Sequence, residues 1–436
     1  MPGADPAWSD APVGVTEVNR TIEAVWRIES GRVIAALAAL VRDVGWAEEL
    51  AQDALVAALE QWPRGGVPAN PGAWLTAVGK RRAIDGLRRR QVRDRKVAEL
   101  GRDLGEETFT PDFDAVFEER IEDDLLRLIF TACHPVLTPQ ARAALTLRML
   151  GGLKTEEIAK AFLVPEPTMA QRITRAKKTL SDAKVPFEVP GVAERGERLA
   201  SVLEVIYLIF NEGYAASAGD DWMRPALCED ALRLARVLQR LMPDEPEVHG
   251  LAALLEIQAS RTGARTDARG EPVLLLEQDR RRWDRLLIRR GLDALERARA
   301  GGGQAGPYTL QAEIAACHAR AGTPEETDWT RIADSYAELA RVAPSPVVEL
   351  NRAVAVSFAA GPAAGLEVAR ALVDEPALAR YHLLPAVIGD LLAKLGRYDE
   401  AAAEFSRAAE LTGNERERAL LRDRAADCVR GVPPTR

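Results

Sequence analysis

Histidine, cysteine, methionine and lysine are all scarce in this chain of 436 residues, which holds four, four, five and eight of them. Four scattered histidines, with no glycine-rich phosphate loop and no GxSxG elbow, assemble no catalytic constellation, so an enzyme is not expected. Cys133, Cys228, Cys317 and Cys428 stand singly, the pattern of reduced buried thiols and not of a disulfide framework. Cys133-His134 and Cys317-His318 lack CxxC or HxxxH spacing, so neither a metal site nor any other cofactor is expected. No apolar run reaches eighteen residues and no secretory leader is visible, so the expected location is cytoplasmic, with no membrane association. Aromatics make up only 5%, yet 47% hydrophobic residues exclude general disorder, and the length allows two or three domains with real cores.

Charge is unevenly spread. The net charge of −8 argues against a nucleic-acid partner only if it is uniform, and residues 1–186 hold 26 bases against 27 acids with the bases clustered. Within residues 80–96, Lys80, Arg81, Arg82, Arg88, Arg89, Arg90, Arg93, Arg95 and Lys96 meet only Asp85 and Asp94, which makes a surface for phosphates. Residues 99–124 carry eleven acids against Arg102 and Arg120 and read as a linker, extended over 101–111 and helical from Phe113.

Residues 152–180 read as a helix-turn-helix. Thr155, followed by Glu156 and Glu157, supplies a capping residue with acids in the first turn, and Val164-Pro165 breaks this first helix. Thr168 caps the second, in which Met169, Ile173, Ala176 and Leu180 form the buried stripe. Its other face carries Gln171, Arg172, Arg175, Lys177 and Lys178, with no acid between Pro167 and Ser181, so it suits phosphates and base edges in a major groove. Upstream, residues 45–62 form a periodic helix without an evident cap, with Ala47, Leu50, Ala51, Ala54, Leu55, Ala58 and Leu59 inward and Glu48, Glu49, Gln52, Asp53 and Glu60 outward. That acidic outer face suits a protein partner. A loop from 63 to 71 leads into a helix opened by Pro71 that runs to Arg90.

The strings AEELxQDALxAALxxW, AWLxxVxKRRAIDxLRRR, GLxxEEIA and TMxxRIxRAKxxL, in this order across residues 18–183, resemble the bacterial RNA polymerase sigma factors of the sigma-70 family, extracytoplasmic-function group. The resemblance implies an alternative sigma factor whose partners are core RNA polymerase and promoter DNA. It implies that Glu48, Glu49, Gln52 and Asp53 dock on polymerase. Asn70 and Trp74, with Lys80, Arg81, Arg82, Arg88, Arg89 and Arg90, then recognise and melt the −10 element, where Trp62 and Trp74 offer aromatic faces to extruded bases. Thr168, Met169, Gln171, Arg172, Arg175, Lys177 and Lys178 then read the −35 element. The acidic linker either threads the polymerase cleft or shields the basic surfaces, and charge alone does not separate the two.

Beyond a proline- and glycine-punctuated hinge at 185–198 the chain is helical. Residues 381–414 place Gly389, Gly396, Tyr398, Ala401, Phe405 and Ala408 at the spacing of a tetratricopeptide helix pair, and Ala231, Ala235, Leu238 and Tyr336, Leu339 repeat the logic before Pro243 and Pro344. This half resembles the C-terminal extension of one subgroup of these factors, in which YLIFNEGYAAS at 207–217 is characteristic; Asn211, Glu212 and Tyr214 are candidates for a ligand or interdomain contact. The expectation is an all-α chain: a flexible N-terminus at 1–17, a polymerase and −10 domain at 18–98, a linker at 99–121, a helix-turn-helix domain at 122–184, a helical extension at 185–310 and an α-solenoid-like array at 311–430. The extension is expected to act on the protein's own first domains or on polymerase. The competing reading is a helix-turn-helix regulator with a repeat-type sensor, which accounts for residues 152–180 but not for the helix at 45–62 followed by the basic cluster.

Overall fold

The structure is a computed structural model that describes residues 15–98, 117–214, 224–267, 273–413 and 415–433. The described residues are helical with no strand, and the chain divides into two compact units, Met1–Leu241 and Met242–Arg436. The division falls at Leu241. The expected boundaries near 185 and 310 lie inside the two units.

The first unit holds α1 (Val15–Val41), α2 (Val44–Gly65), α3 (Pro71–Ala98), α4 (Phe117–Ala132), α5 (Pro139–Met149), α6 (Thr155–Ala161), α7 (Glu166–Asp182), α8 (Val192–Tyr214) and α9 (Pro225–Leu241). In α1, Ile22, Trp26, Val33, Ile34, Leu37 and Ala38 recur at helical spacing and are buried, so one long helix can serve as the shared wall for α2, α3 and α4. Small residues set how near the helices come: a Cβ on Gly79 of α3 would stand 2.7 Å from Leu37. The start of α2 corrects the capless reading, because Asp43 accepts a hydrogen bond from Trp46 N at 2.8 Å. Two residues outside the apolar pattern made this cap easy to miss. The hairpin of α8 and α9 buries Val202, Ile206, Ile209, Phe210, Leu227, Ala231, Leu234 and Leu238 and packs on α4 and α5, so it belongs to the first unit. The expected N-terminal tail up to residue 14 and the extended linker at 101–111 lie outside the described residues.

The second unit runs α10 (Pro246–Ala259), α11 (Arg285–Ala300), α12 (Pro307–Arg320), α13 (Trp329–Val342), α14 (Pro346–Ala360), α15 (Pro362–Arg370), α16 (Leu383–Lys394), α17 (Tyr398–Leu411) and α18 (Glu415–Val429). Each helix packs on the next in the chain. Pro246, Pro307, Pro346 and Pro362 open four of them, where a missing N–H costs nothing. Between α16 and α17, Gly389 lets the Phe405 ring approach to 3.1 Å of where a Cβ would stand, and Phe405 is fully buried.

Candidate nucleic-acid and polymerase interface

The helix-turn-helix forms with different caps from those expected. Thr155 is the first residue of α6, and the box is closed by Glu157, whose carboxylate accepts from Lys154 N at 2.7 Å. Thr168 likewise lies inside α7, whose N-cap position is Pro165. The helix thus starts three residues earlier than a Thr168 cap would allow, with Pro167 in its first turn, where a missing N–H costs nothing. The turn passes through Leu163, which takes a left-handed φ of 49°.

On α7 the expected stripe is the observed one: Met169, Ile173, Ala176 and Leu180 are buried. Met169 therefore cannot touch DNA, which corrects its place among the −35 readers; it is 0% exposed. Thr168, Gln171, Arg175 and Lys178 are exposed, and Arg172 and Lys177 are half-buried.

The acidic face of α2 is split. Glu49 and Asp53 are exposed and Gln52 is half-buried, but Glu48 is buried at 3% exposure. Its carboxylate receives Arg148 Nε at 2.9 Å and Lys177 Nζ. Two cations replace the water that a buried carboxylate would otherwise need. The outward assignment of Glu48 is thus wrong, because the periodicity of α2 records its packing on α1 and α3 and not the arrival of α5 and α7 on its other side. Leu59 departs in the opposite sense and is 42% exposed, with Ala57 and Trp62 buried instead.

On α3, Asn70 spends its Oδ1 on capping, accepting from Ala73 N at 3.0 Å. Trp74 is half-buried and meets the buried Trp62 edge to face, with ring centroids 5.3 Å apart. Arg81, Arg88 and Arg89 are exposed, Lys80 is half-buried, and Arg82 pairs with Asp53 at 3.2 Å, joining the basic set of α3 to the acidic set of α2. Arg90 lies on α3 with its side chain outside the described residues.

The segment expected to make an interdomain or ligand contact lies at the end of α8. Glu212 pairs with Arg224, whose guanidinium also donates to Ala161 O at the end of α6, and Tyr214 stacks on Phe210 at 5.3 Å. Asn211 is half-buried. Arg233 on α9 donates to Leu150 O at 3.1 Å, and Asp230 beside it is held above the usual carboxylate range by burial, which Arg233 only partly offsets. Sequence reading missed Arg148, Arg224 and Arg233. The signal for Arg148 was a lone cation in an otherwise uncharged run, ALTLRML, where an interior charge implies a partner.

Among the described residues no group of histidine, cysteine, aspartate and glutamate side chains is arranged to hold a metal ion, and no helix is long and apolar enough to cross a membrane. Residues 27–93 match the family described as Sigma-70 region 2, residues 127–180 match Sigma-70, region 4, and residues 198–299 match a family of unknown function, DUF6596. A protein of Rhizobium meliloti (strain 1021), named as uncharacterized protein R00370, is 45% identical over 398 residues, which cover 90% of this chain and 92% of that protein.

Proposed function

Because the chain belongs to the sigma-70 family, whose regions 2 and 4 serve promoter recognition and whose members are transcription initiation factors rather than enzymes, we propose that it is an alternative sigma factor of the extracytoplasmic-function group. In this reading α2 binds core RNA polymerase through Glu49, Gln52 and Asp53. The polar exposed face of α7 enters the major groove at the −35 element, where Gln171 and Arg172 read base edges and Lys178 and Arg175 hold phosphates.

The basic face of α3 takes the −10 element. Melting it costs a few kcal/mol of stacking and pairing, which an aromatic surface and a positive track together offset. Trp74 is available for this role on its exposed part, and Trp62 buttresses it from within. The C-terminal half, α8 to α18, is read as a helical, tetratricopeptide-like extension that modulates the sigma half, in a cytoplasmic protein with no cofactor.

The observation that carries the reading is the presence, in one compact unit, of a region 2 with a basic α3 and a region 4 whose reading helix carries no acid from Thr168 to Leu180. A regulator with a single helix-turn-helix has no use for the first of these. The test is co-purification with core polymerase followed by transcription in vitro from a promoter selected by the holoenzyme. Retention on core and start-site-specific transcripts are expected. Duplex binding without any retention on core would favour the repeat-sensor regulator instead.

A further inference from the structure

The proposed function leaves a strongly charged surface of the second unit unused. Residues 280–292 hold Arg280, Arg281, Arg282, Arg285, Arg289 and Arg290 against Asp284 alone, although the chain beyond residue 186 is acidic overall. Arg280 is buried on backbone carbonyls, and the other five are exposed. Arg281 is spent on Asp279 at 3.0 Å, and Asp284 is spent on capping α11, where it accepts from Leu286 N and Leu287 N. Arg282 donates to Thr266 O at 3.4 Å, and Arg285, Arg289 and Arg290 form no ion pair among the described residues.

Helix stability does not ask for this arrangement. The N-terminal end of a helix carries partial positive charge, which favours acids in the first turn. Helices α10, α14, α17 and α18 of the same unit follow that rule with Glu247, with Glu349, with Asp399 and Glu400, and with Glu415 and Glu417. Helix α11 reverses it. Its first turn holds no acid, Arg285 is its first residue, and Arg281 and Arg282 come just before. The guanidinium charges and the helix end therefore add to one positive field, which suits a polyanion.

The apolar stripe of α11, Ile288, Gly291, Ala294, Leu295 and Ala298, is buried, and the helix packs on α10 and α12, so the arginines lie on its outer side. Arg285 and Arg289 stand about 6 Å apart along the axis at ~1.5 Å per residue. Phosphates of one DNA strand follow every ~3.4 Å of the duplex axis, so this pair spans neighbouring phosphates of a single backbone. Arg290, the next residue round the helix, widens the track, and Asp293 and Glu296 mark its end. Nothing here can read a base. Trp283 is 3% exposed, and no asparagine, glutamine or aromatic occurs from 284 to 300. A helix lying on a membrane would need its apolar side free for lipid, and that side of α11 is already taken.

Resting on the promoter-binding reading given above, we propose that Arg282, Arg285, Arg289 and Arg290 form a further DNA contact of this protein, made to the phosphate backbone of duplex DNA and neutral to sequence. Such contacts position a protein and add affinity without adding preference. The second unit thereby holds DNA whose sequence is selected by α3 and α7.

Two measurements on the full chain test this. The first is affinity for a duplex of about 40 base pairs without promoter elements, titrated with salt, where each phosphate contact contributes about 0.9 to the slope of log affinity on log salt. The triple variant Arg285→Gln, Arg289→Gln, Arg290→Gln should lose about tenfold or more in affinity and about 2–3 in slope, while its urea midpoint stays or rises, because an unfavourable cation has left the start of α11. The same three positions changed to lysine keep the charge and should remain within about threefold of the parent. An unchanged slope overturns the proposal, as does a lysine variant as weak as the glutamine one. Loss of binding to vesicles of phosphatidylcholine and phosphatidylglycerol, with the DNA slope intact, would assign the surface to lipid and overturn it too. In the second measurement, Arg289→Cys is labelled with iron–EDTA, which the four buried native cysteines leave selective. In the holoenzyme on promoter DNA the label should cut the backbone at a fixed place outside the −10 and −35 elements, and absence of any cut overturns the proposal. If the unaltered protein fails to bind core, the sigma reading falls while the salt slope still decides the surface, so the two failures are distinguishable.

Discussion

Glu48 in the first unit and Arg280 in the second are both more than nine-tenths buried, and they are compensated in different ways. Glu48 relies on two full charges that belong to other helices and, on our reading, to other tasks. Arg280 relies on dipoles: it donates to the carbonyls of His318 and Ala321 at 2.8 Å each and to Thr327 Oγ1 at 3.1 Å, and it lies 5.2 Å from the Trp283 ring. Burial lowers its pKa, with Glu325 and Glu326 opposing at longer range. Backbone carbonyls cannot be exchanged for those of a visiting partner, whereas side-chain cations can. The second arrangement is held mainly by backbone carbonyls, and the first by side chains of helices that reach α2 from elsewhere in the chain.

The largest expected effects test this contrast at its centre. Glu48→Lys would gather three cations at one buried place, and Arg280→Ala would strand three buried acceptors; each should cost about 3–5 kcal/mol by urea unfolding, in the first and second unit respectively. A Glu48→Lys variant as stable as the parent would mean that Glu48 is solvated and the contrast false.

His318 gives the next largest effect and is confined to the second unit. Burial, then Arg261 and Arg280, push its pKa down to about 4. An unfolded histidine takes up its proton near 6.5 while the folded one stays neutral, so the stability supplied by neutral His318 is lost as pH falls from 6.5 and levels off below about 4. The loss amounts to about 3 kcal/mol. Unfolding curves at pH 7.5 and 4.5 should therefore converge in His318→Asn relative to the parent, and an unchanged pH slope would refute the assignment.

Smaller effects separate reading from holding on α7. Arg172→Ala or Gln171→Ala should cost about 1–3 kcal/mol on the preferred −35 sequence and relax preference at one position, while Lys178→Ala weakens all sequences alike and lowers the salt slope by about 1. Equal losses on every promoter variant would reduce Arg172 to a phosphate contact. Smallest in stability are Glu49→Lys and Asp53→Lys, on exposed positions of α2: the unfolding midpoint should stay in place while retention on core falls, and unaltered retention would remove this face from the polymerase interface.

The same two helices show how much was legible in the sequence. The buried stripe of α7 follows from spacing, since Met169, Ile173, Ala176 and Leu180 pack on their own small domain and nothing else competes for that side. On α2 the same method placed the apolar side well but misplaced Glu48, because a second set of helices covers the opposite face. Caps were read less well than stripes. Thr155 and Thr168 are good capping residues by type, yet Lys154 and Pro165 hold the N-cap positions of their helices, since caps are decided by local geometry within a few residues.

Helical periodicity was enough to determine an all-α chain, an acid-free stretch from Thr168 to Leu180 and a basic run pointed to nucleic acid, and the resemblance of four ordered motifs pointed to sigma-70 regions 2 and 4, because each is a property of residues close together in sequence. Which face of α2 meets water, where Arg148 and Arg224 find their partners, and that α8 and α9 join the first unit were decided only by tertiary structure. Those facts depend on residues far apart in the sequence, 63 positions for Arg224 and Ala161 and 129 for Glu48 and Lys177, and a buried charge selects its partner by proximity in space, which no local pattern encodes.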